Sequence, residues 1–281
     1  MVIKIRDNFH NIQLKTFLYN HLKLSHNEIK RLKMNNGIIV NDQPVTVKYI
    51  LQNNDVLILS ESQKCSENIP IYKQEPDIIY EDNDIVALNK PCGIAVHPSQ
   101  HNRDITLAGM VMYHYKDCPF VFRAVGRLDK YTSGIVLIAK NAIACNNLCK
   151  QIKEKNMIKQ YVAITDGIPY PESGVIDLPI SRDPESIIKR VISYDGKPSV
   201  TEYKVILSKN GEAFVRLKPI TGRTHQIRVH MAAIGCPLKY DFLYGKEEAG
   251  KTFLLHCERL IFSHPISNKI ITIDCPAPFK L

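Results

Sequence analysis

VGRLDKYTSGIVLIAK, Val125–Lys140, sets an arginine and a carboxylate two positions apart, then short polar residues, then an unbroken apolar run. In an extended chain Arg127 and Asp129 point to one side and Leu128 to the other. Thr132-Ser133-Gly134 reads as a turn, and Ile135–Ala139, apolar throughout, reads as a fully buried strand that would hold the preceding loop rigid. Two readings of Asp129 stand open here. A charge at the mouth of a buried strand suits a catalytic acid, but Asp ahead of Thr-Ser-Gly is also ordinary turn chemistry, because short polar side chains bond nearby backbone N–H groups.

Outward from this stretch the pattern is mixed α+β. Upstream, DIIYEDNDIVALNKPCGIAVHP reads as strand, turn, strand, Gly-Pro turn, strand, an antiparallel opening rather than a βαβ unit. Helices are predicted near Ala108–Tyr115 and Ala142–Lys153. Strands are predicted near Gly134–Ala139, Lys159–Thr165, Thr201–Leu207 and Ala213–Lys218, which together make a large mixed or antiparallel sheet. No GxGxxG, P-loop or internal repeat occurs, which argues against nucleotide or dinucleotide chemistry. The eight cysteines form no CxxC pair and no Cys/His cluster at zinc spacing, so neither a metal nor a disulfide framework is indicated. Cys145, Leu148, Cys149 and Ile152 recur at helical spacing and read as the core face of a helix.

The first sixty residues read as a separate small module. Leu14, Phe17, Leu18 and Leu22 recur at helical spacing, and Ser25 with Glu28 forms a capping box that opens a second helix carrying Ile29 and Leu32 inward. Asn36-Gly37 supplies the stop, and GIIVNDQPV and DVLILS read as short strands. Lys30, Arg31 and Lys33 fall on or near the outward side of the second helix, in a segment whose net charge is +4 over residues 1–60. A solvated basic face is the bland reading and phosphate binding the sharper one. ESQKCSENIPIYKQEP, residues 61–76, is polar, carries Pro70 and Pro76 and reads as a linker. The expected division is 1–62, a linker over 63–76, and a larger domain over 77–281. The whole chain carries +9, a balance that favours a polyanionic partner. The run GIVLIA is far shorter than the roughly 20 residues of a bilayer span, and MVIKIRDNFH lacks the apolar core of a signal peptide, so a cytoplasmic protein is expected.

Two further stretches bear chemistry. In KQYVAITDG a strand offers Lys159 and Tyr161 to one face, although an isolated strand tyrosine is more often half-buried packing. In LKPITGRTHQIRVHMAAIG, Leu217–Gly235, a strand ends and a helix begins near Thr224, with Ile227, Met231 and Ile234 as its apolar stripe and Gly235 as its stop. Arg223, His225, Arg228 and His230 crowd the early turns of that helix. Cations at the positive end of a helix oppose its dipole, so a negative group is expected beside them, a protein carboxylate or a phosphate. His225 and His230 are five apart and do not share a helix face as metal ligands at i, i+4 would.

LNKPCGIAVHP, GRLDKYTSG, KQYVAITDG, TGRTHQIRVHMAAIG and LHCERLIFSHP, in that order, resemble the RluA-type RNA pseudouridine synthase family from about Pro76 to the C-terminus, and residues 13–60 resemble the S4 RNA-binding module. The resemblance implies a pseudouridine synthase fold, a mainly antiparallel mixed sheet flanked by helices and loops, behind a small S4-type α/β module. It implies isomerisation of RNA uridines, large-subunit ribosomal RNA before transfer RNA; the isomerisation requires no cofactor, no metal or DNA is expected, and a monomer is the default expectation. Asp129 matches the family's catalytic aspartate, Tyr161 the tyrosine that stacks on the target base and is set to act on its C5 proton, and Arg228 the basic partner of the aspartate. Arg127 matches an arginine that helps displace the flipped nucleotide. Arg223 and His225 would contact RNA or support the loop, and Lys30, Arg31 and Lys33 would meet phosphates. Gly126 departs from the family, which has His there, and implies an altered loop. Rival readings are a non-catalytic RNA-binding or assembly factor, which would lack the aspartate, and an S4-tethered methyltransferase, against which the missing Gly-rich loop speaks.

Overall fold

The computed structural model describes residues 1–22, 24–60, 66, 69–98 and 105–281. The N-terminal part comprises β1 (Val2–Lys4), α1 (Leu14–Thr16, continued by a π-helical turn over Phe17–His21), α2 (His26–Met34), β2 (Ile38–Val40), β3 (Gln43–Pro44) and β4 (Val56–Leu59). Its four strands pair antiparallel in the order β1-β4-β2-β3. The predicted apolar positions Leu14, Phe17, Leu18, Leu22, Ile29 and Leu32 are all buried in one core under this sheet. The capping box forms: Ser25 Oγ accepts the Glu28 N–H, and the Glu28 carboxylate accepts the Ser25 N–H at 2.7 Å. Lys30, Arg31 and Lys33 are exposed.

The remainder comprises β5 (Ile78–Glu81), β6 (Ile85–Lys90), α3 (Leu107–His114), β7 (Ser133–Ala139), α4 (Ala142–Lys153), β8 (Ile158–Asp166), β9 (Ser173–Asp177), β10 (Ile180–Arg182), β11 (Arg190–Ile192), β12 (Val200–Lys209), β13 (Glu212–Pro219), α5 (Gln226–Ala233), β14 (Leu255–Ser263) and β15 (Ile270–Asp274). Nine of these strands form one sheet in the order β5-β6-β7-β14-β8-β13-β12-β9, with β15 added beside β14. Only the β7–β14 pair is parallel, so the sheet is mixed and mainly antiparallel, as the sequence pattern implied. Every residue of β7 is buried, which is why its sequence does not alternate. No helix among the described residues is long and apolar enough to cross a membrane.

Three local expectations are corrected. The chain turns at Lys130–Tyr131, where the Thr132 N–H reaches the Asp129 carbonyl, and Ser133 and Gly134 already belong to β7. Gly134 serves the parallel pairing: at φ +102° it lets the β14 backbone approach so closely that an added Cβ would lie 2.4 Å from the Cys257 carbonyl oxygen. The segment GIAVHP is not a strand. Its Ala95 and Val96 carbonyls instead accept the N–H groups of Leu107 and Ala108 at the start of α3, satisfying donors that a new helix leaves open. On α4 the buried face runs through Ala144 and Leu148, while Cys149 is exposed and Ile152 is 37% exposed. The helix is rolled because it serves two partners, the sheet and the N-terminal core, into which Ile143 inserts.

α4 also binds the N-terminal part by polar contacts, Asn146 to the Glu28 carboxylate and Asn147 Nδ2 to the Leu22 carbonyl at 3.0 Å; the same Nδ2 reaches the Pro265 carbonyl between β14 and β15 at 2.9 Å. Part of the expected linker, 63–65 and 67–68, lies outside the described residues. Ser66 is bonded to Phe120 and Phe122, Ile69 is buried in the larger core, and the Tyr72 N–H reaches the Gly109 carbonyl.

Candidate active site

Asp129 stands on a short arch. Before it, Arg123–Val125 runs antiparallel beside β7, the Val125 N–H bonding the Leu137 carbonyl at 2.7 Å; after it, the chain enters β7 itself. Leu128 turns inward and is buried, whereas Arg127 is exposed and Asp129 is partly exposed, the alternation expected of an extended segment. The arch is pinned from below by Lys90, the last residue of β6. Its wholly buried ammonium donates to the carbonyls of Pro91, Ile94 and Lys130 at 2.9, 2.8 and 2.9 Å. The sequence reading missed this lysine, although it lies in the LNKPCG stretch.

Burial lowers the Lys90 pKa from 10.5 to about 8, against the pull of Cys92 and Asp129. A depressed lysine binds its proton less well folded than unfolded, so its share of stability is absent below about 8 and grows as pH rises toward 10.5. The arch needs the opposite state, because a neutral amine has two N–H donors for three carbonyls. Turnover is therefore expected to fall as pH is raised from 7 to 9 while the thermal midpoint holds or rises. A loss of turnover that tracks unfolding would assign the support of the arch elsewhere.

Opposite the arch lies the start of α5. Arg228 is 2% exposed. Its Nη1 lies 3.9 Å from Asp129 Oδ2, and His225 Nε2 lies at the same distance from that oxygen. Both separations exceed hydrogen-bond length, so the carboxylate is attended by two donors but locked by neither. The tight partner of Arg228 is Asp241, which takes Nε and Nη2 at 2.7 Å each. The expected negative group beside the clustered cations is thus a protein carboxylate. Phe253, Tyr244 and Phe242 surround the guanidinium, their ring centroids 4.2, 5.0 and 5.5 Å from its central carbon.

His225 has left-handed backbone, φ +58°, which swings its ring over the pocket, where Nδ1 meets the Tyr244 hydroxyl at 2.9 Å. Burial holds its pKa below the ordinary value in spite of Asp129, leaving a neutral imidazole at pH 7. Gln226, another residue the sequence reading missed, fixes this turn: its carbonyl accepts the Thr221 hydroxyl and the Arg223 N–H, and its amide donates to Val200 and Thr201. His230 faces away, toward Thr201 and the Leu178 carbonyl, so the two imidazoles share no site. Arg223 is exposed, with Nε on the Pro198 carbonyl.

Tyr161, on β8 opposite Leu217 and Cys257, is buried. Burial, with Cys257 and Asp129 adding to it, pushes the phenol well above its ordinary pKa, so it is a neutral hydrogen-bond donor at pH 7. Lys159 lies beneath Gly126: a Cβ on that glycine, whose φ is +85°, would come within 2.7 Å of the Lys159 ammonium. The bare glycine thus gives the lysine its room. Asp129, Tyr161, Arg228 and His225 gather at one pocket, whereas Lys30, Arg31 and Lys33 stand on the N-terminal part.

The carboxylate of Asp129 thus stands on an arch opposite a buried arginine and a neutral imidazole, with a buried neutral phenol close by. Residues 84–233 match the RNA pseudouridylate synthase family. The RNA pseudouridine synthase YhcT of Bacillus subtilis is 37% identical over 266 residues, covering 91% of this chain and 83% of the relative. The ribosomal large subunit pseudouridine synthase D of Neisseria meningitidis serogroup B is 36% identical, covering 86% and 69%. The solved structure of human RNA pseudouridylate synthase domain containing 1 superposes with a TM-score of 0.63 at 27% identity, covering 75% of this chain and 87% of that one. The chain belongs to the RluA-type RNA pseudouridine synthases, isomerases that act on RNA.

Proposed function

We propose that this enzyme converts specific uridines of large-subunit ribosomal RNA to pseudouridine with Asp129 as the reacting carboxylate. The observation that carries the reading is Asp129 Oδ2 standing 3.9 Å from both Arg228 and His225 on an arch held by Lys90. The reaction breaks the N1–C1′ bond, turns the uracil and joins C5 to C1′; C5 gives up a proton, N1 takes one up, and there is no net redox change. Asp129 acts at the sugar, either by attack at C1′ or by removing the C2′ proton. Tyr161 stacks against the freed base. As a neutral phenol it takes the C5 proton only as it passes its own hydroxyl proton on to a carboxylate, so no free phenolate is needed. The target uridine is flipped out of its helix, with Arg127, Arg223 and His225 beside the vacated position. Tyr161→Phe is expected to slow turnover about 100-fold with RNA affinity held; an unchanged rate would remove Tyr161 from the relay.

Residues 1–62 act as an S4-like RNA-binding module, 63–76 connect it, and 77–281 form the catalytic domain, working as a monomer in the cytoplasm. The exposed cations of α2 support this reading of the module. Because Ile143 inserts into the N-terminal core, deleting that part would bare an apolar side chain, and neutralising charges is the cleaner test. Lys30→Gln with Lys33→Gln should flatten the slope of log affinity against log salt by about 1 to 2 and weaken binding. An unmoved slope would leave the basic helix a solvated face.

The substrate is tested by tritium release from RNA labelled at uridine C5. Large-subunit ribosomal transcripts should turn over and transfer RNA should not. Turnover of transfer RNA alone would move the substrate, and release from neither would sink the reading of Asp129.

A further inference from the structure

We infer that Asp241 is a positioning residue, which acts through Arg228 to keep the Asp129 carboxylate uncommitted; this rests on the reading of Asp129 as the reacting group. Asp241 is wholly buried, at the turn between α5 and β14. Its Oδ2 accepts Arg228 Nε, and its Oδ1 accepts Arg228 Nη2 together with the N–H groups of Leu243 at 3.0 Å and Tyr244 at 3.3 Å. The backbone around it is pinned as well, by the Asp241 N–H on Leu238 and the Gly245 N–H on Asp241. The carboxylate therefore cannot follow the arginine; the arginine must conform to it.

A guanidinium presents its donors in a rigid planar fork. Two of its edges could serve a carboxylate in two-pronged fashion. Asp241 takes the Nε–Nη2 edge and the three rings enclose the plane, so Nη1 alone is turned toward Asp129, at 3.9 Å. One positive charge is thereby shared by two carboxylates, unequally. The buried one holds it by short hydrogen bonds; the partly exposed one feels it without having its oxygens occupied. Released from Asp241, Arg228 would be able to pair with Asp129 through two hydrogen bonds, leaving neither oxygen open to the sugar.

The test compares single-turnover rate constants and RNA affinities for Asp241→Asn, Arg228→Met and the double variant. Asp241→Asn is expected to lower the rate constant at least 10-fold with the Kd for RNA held within about 3-fold, a split that a merely structural loss would not give. In the Arg228→Met background it should slow the reaction no further, since the arginine through which it acts is gone. A rate within 2-fold of the wild type, an equal loss in both backgrounds, or a loss confined to RNA affinity would each overturn the inference. Should Asp241→Asn not fold, Asp241→Glu, which keeps the charge but displaces the fork, is held to the same criteria. If the wild-type enzyme releases no tritium from any uridine RNA, the reading of Asp129 fails and this one falls with it; if it does, the variants decide Asp241 alone.

Discussion

Asp129→Asn should reduce tritium release from C5-labelled uridine RNA by about 10⁴-fold or more while the protein folds and binds RNA as before. The size follows from the role: an amide retains the shape of the carboxylate but neither attacks C1′ nor accepts a proton from C2′. The mildness toward folding follows from the geometry. The side chain is 32% exposed and its charged neighbours are 3.9 Å away, so the substitution strands no buried partner. Turnover within 10-fold of the wild type would sink the assignment of Asp129. Lost activity accompanied by a lowered thermal midpoint would leave the arch, rather than the carboxylate, as the cause.

Arg228→Met carries the largest expected cost in stability, about 3 to 5 kcal/mol. Its side chain and that of Asp241 are 3% and 0% exposed, so removing the arginine leaves a buried carboxylate with only two backbone N–H donors. Adding Asp241→Asn should restore most of the lost thermal midpoint, since the stranded charge is then gone. Unfolding by urea with the m-value checked would measure both effects. If Arg228→Met melts like the wild type, Asp241 has found other partners and the two-pronged pair is not what holds this corner.

Local chemistry made much of the fold legible. The capping box of Ser25 and Glu28, the helix over Ala142–Lys153 and the buried run after Gly134 depend on neighbours within a few residues, and sequence spacing reports those faithfully. What sequence spacing does not report is which backbone will come alongside. Gly134 resembles a turn glycine until the approach of Cys257 is known, and GIAVHP resembles a strand until α3 claims its carbonyls. The site divides in the same way. Asp129, Tyr161 and Arg228 sit in dense, distinctive stretches, and the crowded cations of Arg223–His230 did point to a negative partner. That the partner is Asp241 follows only from the loop that returns before β14, and Lys90 is recognisable as the prop of the arch only once the Lys130 carbonyl lies above it.

Ile143 gives the enzyme a dimension as well as a seam. Because it belongs to the N-terminal core while its helix packs on the sheet that carries Asp129, the exposed cations of α2 stand at a set span from the Asp129 carboxylate. On the proposed reading of α2 as an RNA-binding face, an RNA held at both points would be measured like an object between the jaws of a caliper. The uridine converted would then be chosen partly by its distance from the gripped feature, and loosening the Ile143 contact would blur which uridine is chosen before it slowed the chemistry.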